Sequence, residues 1–236
     1  IWFPVPDKSA SGGYSMGYDP YDYYDLGSYS QSGGPGTHFG TQAQLKSAIA
    51  AFKAQGISCI ADIVLNHRSG GKSESNGYTG GTSYTDFSAV QSGMCKWHWD
   101  SFHPNQYEYS DEGTFGGYPD ITYNSGSAYN DMKSWLNWLK NPSNAGFDGW
   151  RYDYVKGYHS WVVHDMNAAS SPTFSVGEYW DTSIANLDNW VNAANASAFD
   201  FPLYYTLQTI CDNTSGGGEL PDLLNTIMRL LSTSAA

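Results

Sequence analysis

Apolar positions along this chain alternate between two spacings. Ile1-Trp-Phe-Pro-Val-Pro6 is a short apolar run that reads as a strand, and a loop rich in Gly, Tyr and Asp follows it to about Gly40. Over Thr41 to Gln55, Leu45, Ala48, Ile49 and Phe52 recur at helical intervals. Thr41 and Gln44 form a capping box ahead of that stripe, and Gly56 is a stop behind it. Ile57 to Leu65 is then a near-continuous apolar run, the kind that a parallel sheet covers on both faces.

From Asn66 to about Ser127 the periodicity fades into Gly, Ser, Tyr, Asp and Asn, with Trp97, Trp99, Phe102 and Phe115 interspersed. A stretch of that length is expected to be a small irregular insert, not a plain connection. Helical spacing returns at Met132, Trp135, Leu136, Trp138 and Leu139 and ends near Asn141-Pro142. The alternation then continues. A strand runs up to Asp153, with a helix over Trp161 to Ala169, a strand over Phe174 to Tyr179, a helix over Ile184 to Ala194 and a strand over Ala198 to Leu203; Thr226 to Ala236 reads as a helix and a short polar tail. Five strands alternating with helices predict an α/β fold, either a barrel or a doubly wound sheet. No glycine-rich phosphate loop follows the first strand, which disfavours a nucleotide-binding protein. The organisation expected is residues 1–67 and 128–236 as two parts of one barrel, with 68–127 as the insert.

Charge and composition narrow the partners. Eleven Lys plus Arg against 23 Asp plus Glu leave a formal charge of −12, so a nucleic-acid partner is not expected, and a neutral ligand or a cation suits the chain better. Aromatic residues make up 16%, with 19 Tyr and 9 Trp, more than a core of this size needs, and the excess suits a sugar-binding cleft. Cys59, Cys95 and Cys211 show neither a disulfide framework nor metal spacing. No apolar run is long enough to span a bilayer, so no membrane partner is expected. The chain opens on a strand with no basic leader; its natural N-terminus is expected upstream, the compartment is expected to be extracellular, and the protein a monomer. Asn195-Ala-Ser197 and Asn213-Thr-Ser215 are glycosylation sequons that also arise by chance.

The chemistry lies in two strand ends. Gly146-Phe-Asp-Gly-Trp-Arg-Tyr-Asp153 and Ser175-Val-Gly-Glu178 are apolar strands that each finish on an acid, as a parallel barrel places carboxylates at its mouth. Cleaving an acetal needs one group to protonate the departing oxygen and another to stabilise the positive sugar carbon, and carboxyls do both. A gap of about 5 Å favours direct attack and retention, whereas roughly 6.5–9.5 Å admits a water and inverts. Arg151 is two residues before Asp153, on the same strand face, where its guanidinium is expected to keep Asp153 ionised at neutral pH. Glu178 would need the higher pKa of the two to act as the acid.

These motifs resemble the α-amylases of glycoside hydrolase family 13 over nearly the whole chain. Asp62-Ile-Val-Leu-Asn66-His67 resembles the family motif that ends the third barrel strand, Gly149-Trp-Arg151-Tyr-Asp153 that of the fourth, and Gly177-Glu178-Tyr-Trp180 that of the fifth. The resemblance implies a (β/α)8 TIM-type barrel with a small insert domain after its third strand. It also implies a retaining double displacement on α-1,4-glucosidic bonds of starch, glycogen and maltooligosaccharides, with Asp153 as nucleophile and Glu178 as general acid/base. By the same resemblance Tyr18 stacks on the sugar, His67 hydrogen-bonds it, Arg151 supports the nucleophile and Lys156 serves the leaving-group side. A calcium ion (Ca2+) is implied between insert and barrel, held by Asn66, Asp120, the backbone oxygen of Gly157 and Asp111; Asp62 reads as structural.

Two departures qualify the likeness. The position of Gly157 is His in many relatives, so its contact would be through backbone. The family also needs a third carboxylate from a Phe-Val-Asp-Asn-His-Asp motif on the seventh strand, and no such motif follows Asp200. The chain is therefore expected to be an incomplete barrel, strands two to six, with little or no activity by itself. A maltooligosaccharide-forming enzyme or transglycosylase of the same family, and a non-catalytic glucan-binding protein, stay open as alternatives.

Overall fold

The computed structural model describes residues 1–107, 115–124 and 126–212. Its centre is a five-stranded, wholly parallel sheet. In chain order the elements are β1 (Trp2–Phe3), the short pair β2 (Lys8–Ser9) and β3 (Pro20–Asp22), α1 (Gln42–Lys53), β4 (Ile60–Ile63), β5 (Lys72–Ser75), β6 (Thr82–Asp86), α2 (Gly126–Lys140), β7 (Gly149–Tyr152), α3 (Ser160–Ser170), β8 (Ser175–Gly177), α4 (Ile184–Ala194), β9 (Ser197–Ala198) and α5 (Phe201–Asp212). The sheet order is β1-β4-β7-β8-β9, so strand neighbours follow chain order, each joined to the next through a helix. That succession is the winding of a (β/α) barrel; a doubly wound sheet would reverse direction at a switch point. The strip also curls. The ring of Trp2 on β1 lies 5.9 Å from that of Phe199, just past β9, across its concave side. Five strands among the described residues form an open arc of barrel, not a closed one.

Local rules account for most element ends. The capping box at Thr41 is formed in both directions with Gln44, and α1 stops at Gly56, which has φ +72°. β4 is buried at every position, as expected of a strand covered on both faces. Helices pack on the outer side with Trp135, Leu136, Leu139, Val162, Val163 and Met166 all buried, and the indoles of Trp135 and Trp150, the largest fully buried side chains, are satisfied, Trp135 Nε1 donating to the Tyr23 carbonyl and Trp150 Nε1 to Ser170 Oγ.

One strand expectation is corrected. Ala198 to Leu203 is not a continuous strand: β9 covers only Ser197–Ala198, and the apolar run from Phe201 begins α5. Asp200 explains the switch, because its Oδ1 accepts the backbone N–H of Leu203 at 2.9 Å and so caps the helix.

The insert is more ordered than its composition suggested. β5 and β6 form an antiparallel hairpin, and Phe87, Val90, Trp97 and Phe102 make a small core beneath it. Arg68 ties that core to the barrel. Fully buried, it donates from Nε and Nη2 to the Tyr21 carbonyl and from Nη1 to the Cys95 carbonyl, with its guanidinium 3.9 Å from the Phe87 ring centre and 4.9 Å from that of Trp97. Two single antiparallel bridges, His67 with Asp120 and Phe102 with Ile121, close the insert back on the end of β4.

Candidate active site

At the carboxyl ends of β4, β7 and β8, one arginine gathers three acids. Asp62 and Arg151 are register partners on neighbouring strands and share a face, with Arg151 Nη1 donating to Asp62 Oδ1 at 2.7 Å. The same nitrogen donates to Asp153 Oδ1 at 2.8 Å, and Nη2 lies 2.8 Å from Glu178 Oε2. Arg151 and Asp62 are almost fully buried, while Asp153 and Glu178 keep 11% and 19% of their side-chain surface toward the cleft. The Asp153 and Glu178 carboxyls thus converge on one guanidinium from adjacent strands.

Backbone geometry helps to aim them. Tyr154, immediately after Asp153, takes a left-handed conformation with φ 42°, which costs a non-glycine residue about 1–3 kcal/mol. That turn sends its N–H to Glu178 Oε2 at 3.2 Å, so Oε2 accepts from both Tyr154 and Arg151. Gly177 allows the strand end to lie flat against α4, since a Cβ there would fall 2.2 Å from the Trp190 ring.

The electrostatics differ from the expectation that Arg151 simply holds Asp153 ionised. Burial pushes the Asp153 carboxyl up to about 7; Arg151 opposes this, and the like charges of Asp62 and Glu178 add to it. Asp62 is likewise raised, by burial first. Burial is the leading cause, and a single guanidinium facing three carboxylates only partly offsets it. Arg151 is the partner of a triad of acids.

The remaining predicted residues fall around this centre. Tyr18 is 38% exposed and donates its hydroxyl to Asp62 Oδ2 at 2.7 Å, with its ring 5.9 Å from the Arg151 guanidinium. His67 is fully buried, and burial lowers its pKa, which favours the neutral imidazole. Its Nδ1 meets Asn66 Nδ2 at 3.3 Å and its Nε2 meets the Tyr18 carbonyl at 2.9 Å. As placed it braces Tyr18 and presents no ring nitrogen to the cleft, which differs from the direct sugar contact expected. Lys156 stands at the rim, Nζ donating to the Trp180 carbonyl at 3.2 Å and to Asp181 Oδ2 at 3.4 Å. Asp111 lies outside the described residues.

Asn66 and Asp120 carry an unmet demand. Among the described residues, Asn66 Oδ1 and both carboxyl oxygens of Asp120 are buried with no hydrogen-bond partner, and burial alone pushes Asp120 up to about 8. The two residues are neighbours, because the Ile121 N–H donates to the Asn66 carbonyl at 2.9 Å. Gly157 adjoins them: a Cβ there would fall 1.9 Å from Asn66 Oδ1. Among the described residues no three His, Cys, Asp or Glu converge as a metal site. An amide, one carboxylate and backbone are a different donor set, hard and oxygen-only, and orphaned oxygens of that kind fit a calcium ion.

Asp62 is buried beside the site and structural, as its sequence reads, and it holds both Arg151 and the Tyr18 hydroxyl. The register of β4 against β7 is the signal that would have found the Arg151 contact. Asp181 was not anticipated, and nothing in its sequence context marks it.

The comparisons agree with this geometry. A profile described as the α-amylase catalytic domain matches residues 3–220. The α-amylase of Bacillus licheniformis is 28% identical over an alignment covering 95% of this chain and 53% of that protein, and the glucan 1,4-α-maltohexaosidase of Bacillus sp. (strain 707) is 27% identical, covering 95% and 52%. The solved structure of an α-amylase from Malbranchea cinnamomea superposes with a TM-score of 0.73 at 20% identity, covering 99% of this chain and 47% of that one. The chain spans about half the length of the relatives it matches. With the profile running from β1 to beyond α5 and the acids of β4, β7 and β8 on one arginine, the chain belongs to the α-amylase catalytic-domain family of glycoside hydrolases.

Proposed function

We propose that residues 1–236 carry the central part of an α-amylase that hydrolyses internal α-1,4-glucosidic bonds of starch-like glucans with retention of configuration. The observation that supports this most is the pair of cleft-facing carboxyls, Asp153 and Glu178, each 2.8 Å from a nitrogen of Arg151. In the first step an ionised Asp153 oxygen bonds to the anomeric carbon as the glycosidic C–O bond breaks, and the Glu178 proton passes to the departing oxygen. In the second, Glu178 takes a proton from water, the hydroxyl oxygen bonds to the anomeric carbon, and the bond to Asp153 breaks. Tyr18 would flank the sugar with its ring, its hydroxyl fixed by Asp62, and Lys156 would serve the leaving-group side.

The orphaned oxygens of Asn66 and Asp120, with the Gly157 backbone beside them, would hold calcium. When bound, the ion supplies structural cross-linking between insert and barrel. The activity proposed is that of the full-length protein, since the chain spans about half the length of its relatives. Product pattern is left open, because an α-amylase and a maltohexaosidase match almost equally well.

The test is the initial product anomer, followed by NMR as the full-length protein cleaves maltoheptaose. The α-anomer is expected first, and substitution of Glu178 by Gln should lower kcat by about 10²–10⁴-fold. A β-anomer as first product would refute retention.

A further inference from the structure

The turn Phe115 to Tyr118 brings an aromatic surface over the candidate site. Tyr118 N–H donates to the Phe115 carbonyl at 3.0 Å, across Gly116 and Gly117, which take φ of 58° and 76°. The turn is anchored by the next residue, because the Arg68 N–H donates to the Pro119 carbonyl at 3.0 Å. Both rings lie nearly parallel to the His67 imidazole, Phe115 at 5.2 Å and 18° and Tyr118 at 5.2 Å and 20°. Phe115 also touches Tyr154 at 5.1 Å, the residue that follows Asp153 and whose N–H binds Glu178.

What a ligand would meet here is therefore a phenyl ring. His67 is fully buried, whereas Phe115 is 42% exposed. Isolated exposed apolar side chains are common and need no explanation, but this one lies beside the residue that aims both cleft carboxyls. A pyranose ring has an apolar face of polarised C–H groups, and such a face complements the negative face of an aromatic ring.

We propose that Phe115 is a specificity-determining residue that stacks on a glucosyl unit of the bound α-glucan next to the Asp153–Glu178 pair. The inference rests on the amylase reading above. It assigns to the insert a direct part in substrate binding, separate from its cation-type oxygens. It also accounts for His67, whose ring is the backing of this platform and the brace of Tyr18.

The test compares Phe115→Ala, Phe115→Leu and Phe115→Tyr in the full-length protein carrying Glu178→Gln, which slows cleavage, with maltoheptaose affinity read by tryptophan fluorescence and folding by thermal denaturation. Leu keeps an apolar cover over His67 but has no π face, and Tyr keeps both. The stacking role predicts that Ala and Leu weaken binding about tenfold, equivalent to about 1.4 kcal/mol, that Tyr stays within about twofold, and that Leu melts like the wild type. Wild-type affinity in Phe115→Leu would overturn the stacking role and leave the amylase reading intact. A wild-type protein that fails to bind maltoheptaose would sink that reading, and this one with it.

Discussion

Arg151 balances three carboxylates with one charge, and that ratio governs how the site should respond to change. Its Nη1 and Nη2 are committed to Asp62, Asp153 and Glu178. Replacing it with Met would leave buried acids without a counter-charge, so Arg151→Met should destabilise the fold by about 3–5 kcal/mol in denaturant titrations. The raised Asp153 carboxyl makes a second, separate claim. An acid whose folded pKa is lifted holds its proton to higher pH, so the ionised nucleophile is lost as pH falls through about 7. The acid limb of kcat/KM in the full-length protein should accordingly lie well above the ordinary carboxylate range; a limb near pH 4 would contradict it. Burial was the unread quantity here. Sequence spacing put Arg151 and Asp153 on one face, but it could not show that Asp62 and Glu178 draw on the same guanidinium.

At the scale of elements, the chain announced its helices better than its insert. The capping box at Thr41 and the stripe Leu45, Ile49, Phe52 specify α1 locally, and Ile184–Ala194 has the bounds its pattern predicts. Thr41→Ala should therefore cost about 1 kcal/mol, measurable as a shift in denaturation midpoint with no change in slope. Ala198 to Leu203 was misread because a short apolar run fits either period, and the Asp200 cap decided the matter. The β5–β6 hairpin escaped notice because Lys72-Ser-Glu-Ser75 is mostly exposed and carries no apolar alternation. Gly157 offers a sharper test. A Cβ at 1.9 Å from Asn66 Oδ1 cannot be accommodated in place, so, if the proposed calcium ion is held there, Gly157→Ala should push that oxygen away and weaken its binding by tenfold or more, as read by calorimetry. Unchanged calcium affinity would remove Asn66 from the donor set.

Over the whole molecule, the parallel arc β1-β4-β7-β8-β9 positions the chemistry and the insert covers it. Their junction is polar and largely buried, built from Arg68, the His67–Asp120 bridge and the orphaned oxygens beside it. If calcium occupies that junction, its removal with a chelator should lower the melting temperature of the full-length protein by roughly 3 °C relative to a hundredfold excess over its Kd. The barrel-type succession of strands was legible from the alternating periods, whereas its curl and the closeness of Trp2 to Phe199 depend on contacts far apart in sequence. The central claim is that Asp153 attacks the sugar while Glu178 handles the proton. It is tested most directly by treating the full-length protein with a fluorinated α-glucosyl fluoride, which slows deglycosylation, and mapping the adduct by peptide mass spectrometry. A single glycosyl adduct on Asp153 is the predicted result, and an adduct on another carboxylate would contradict it.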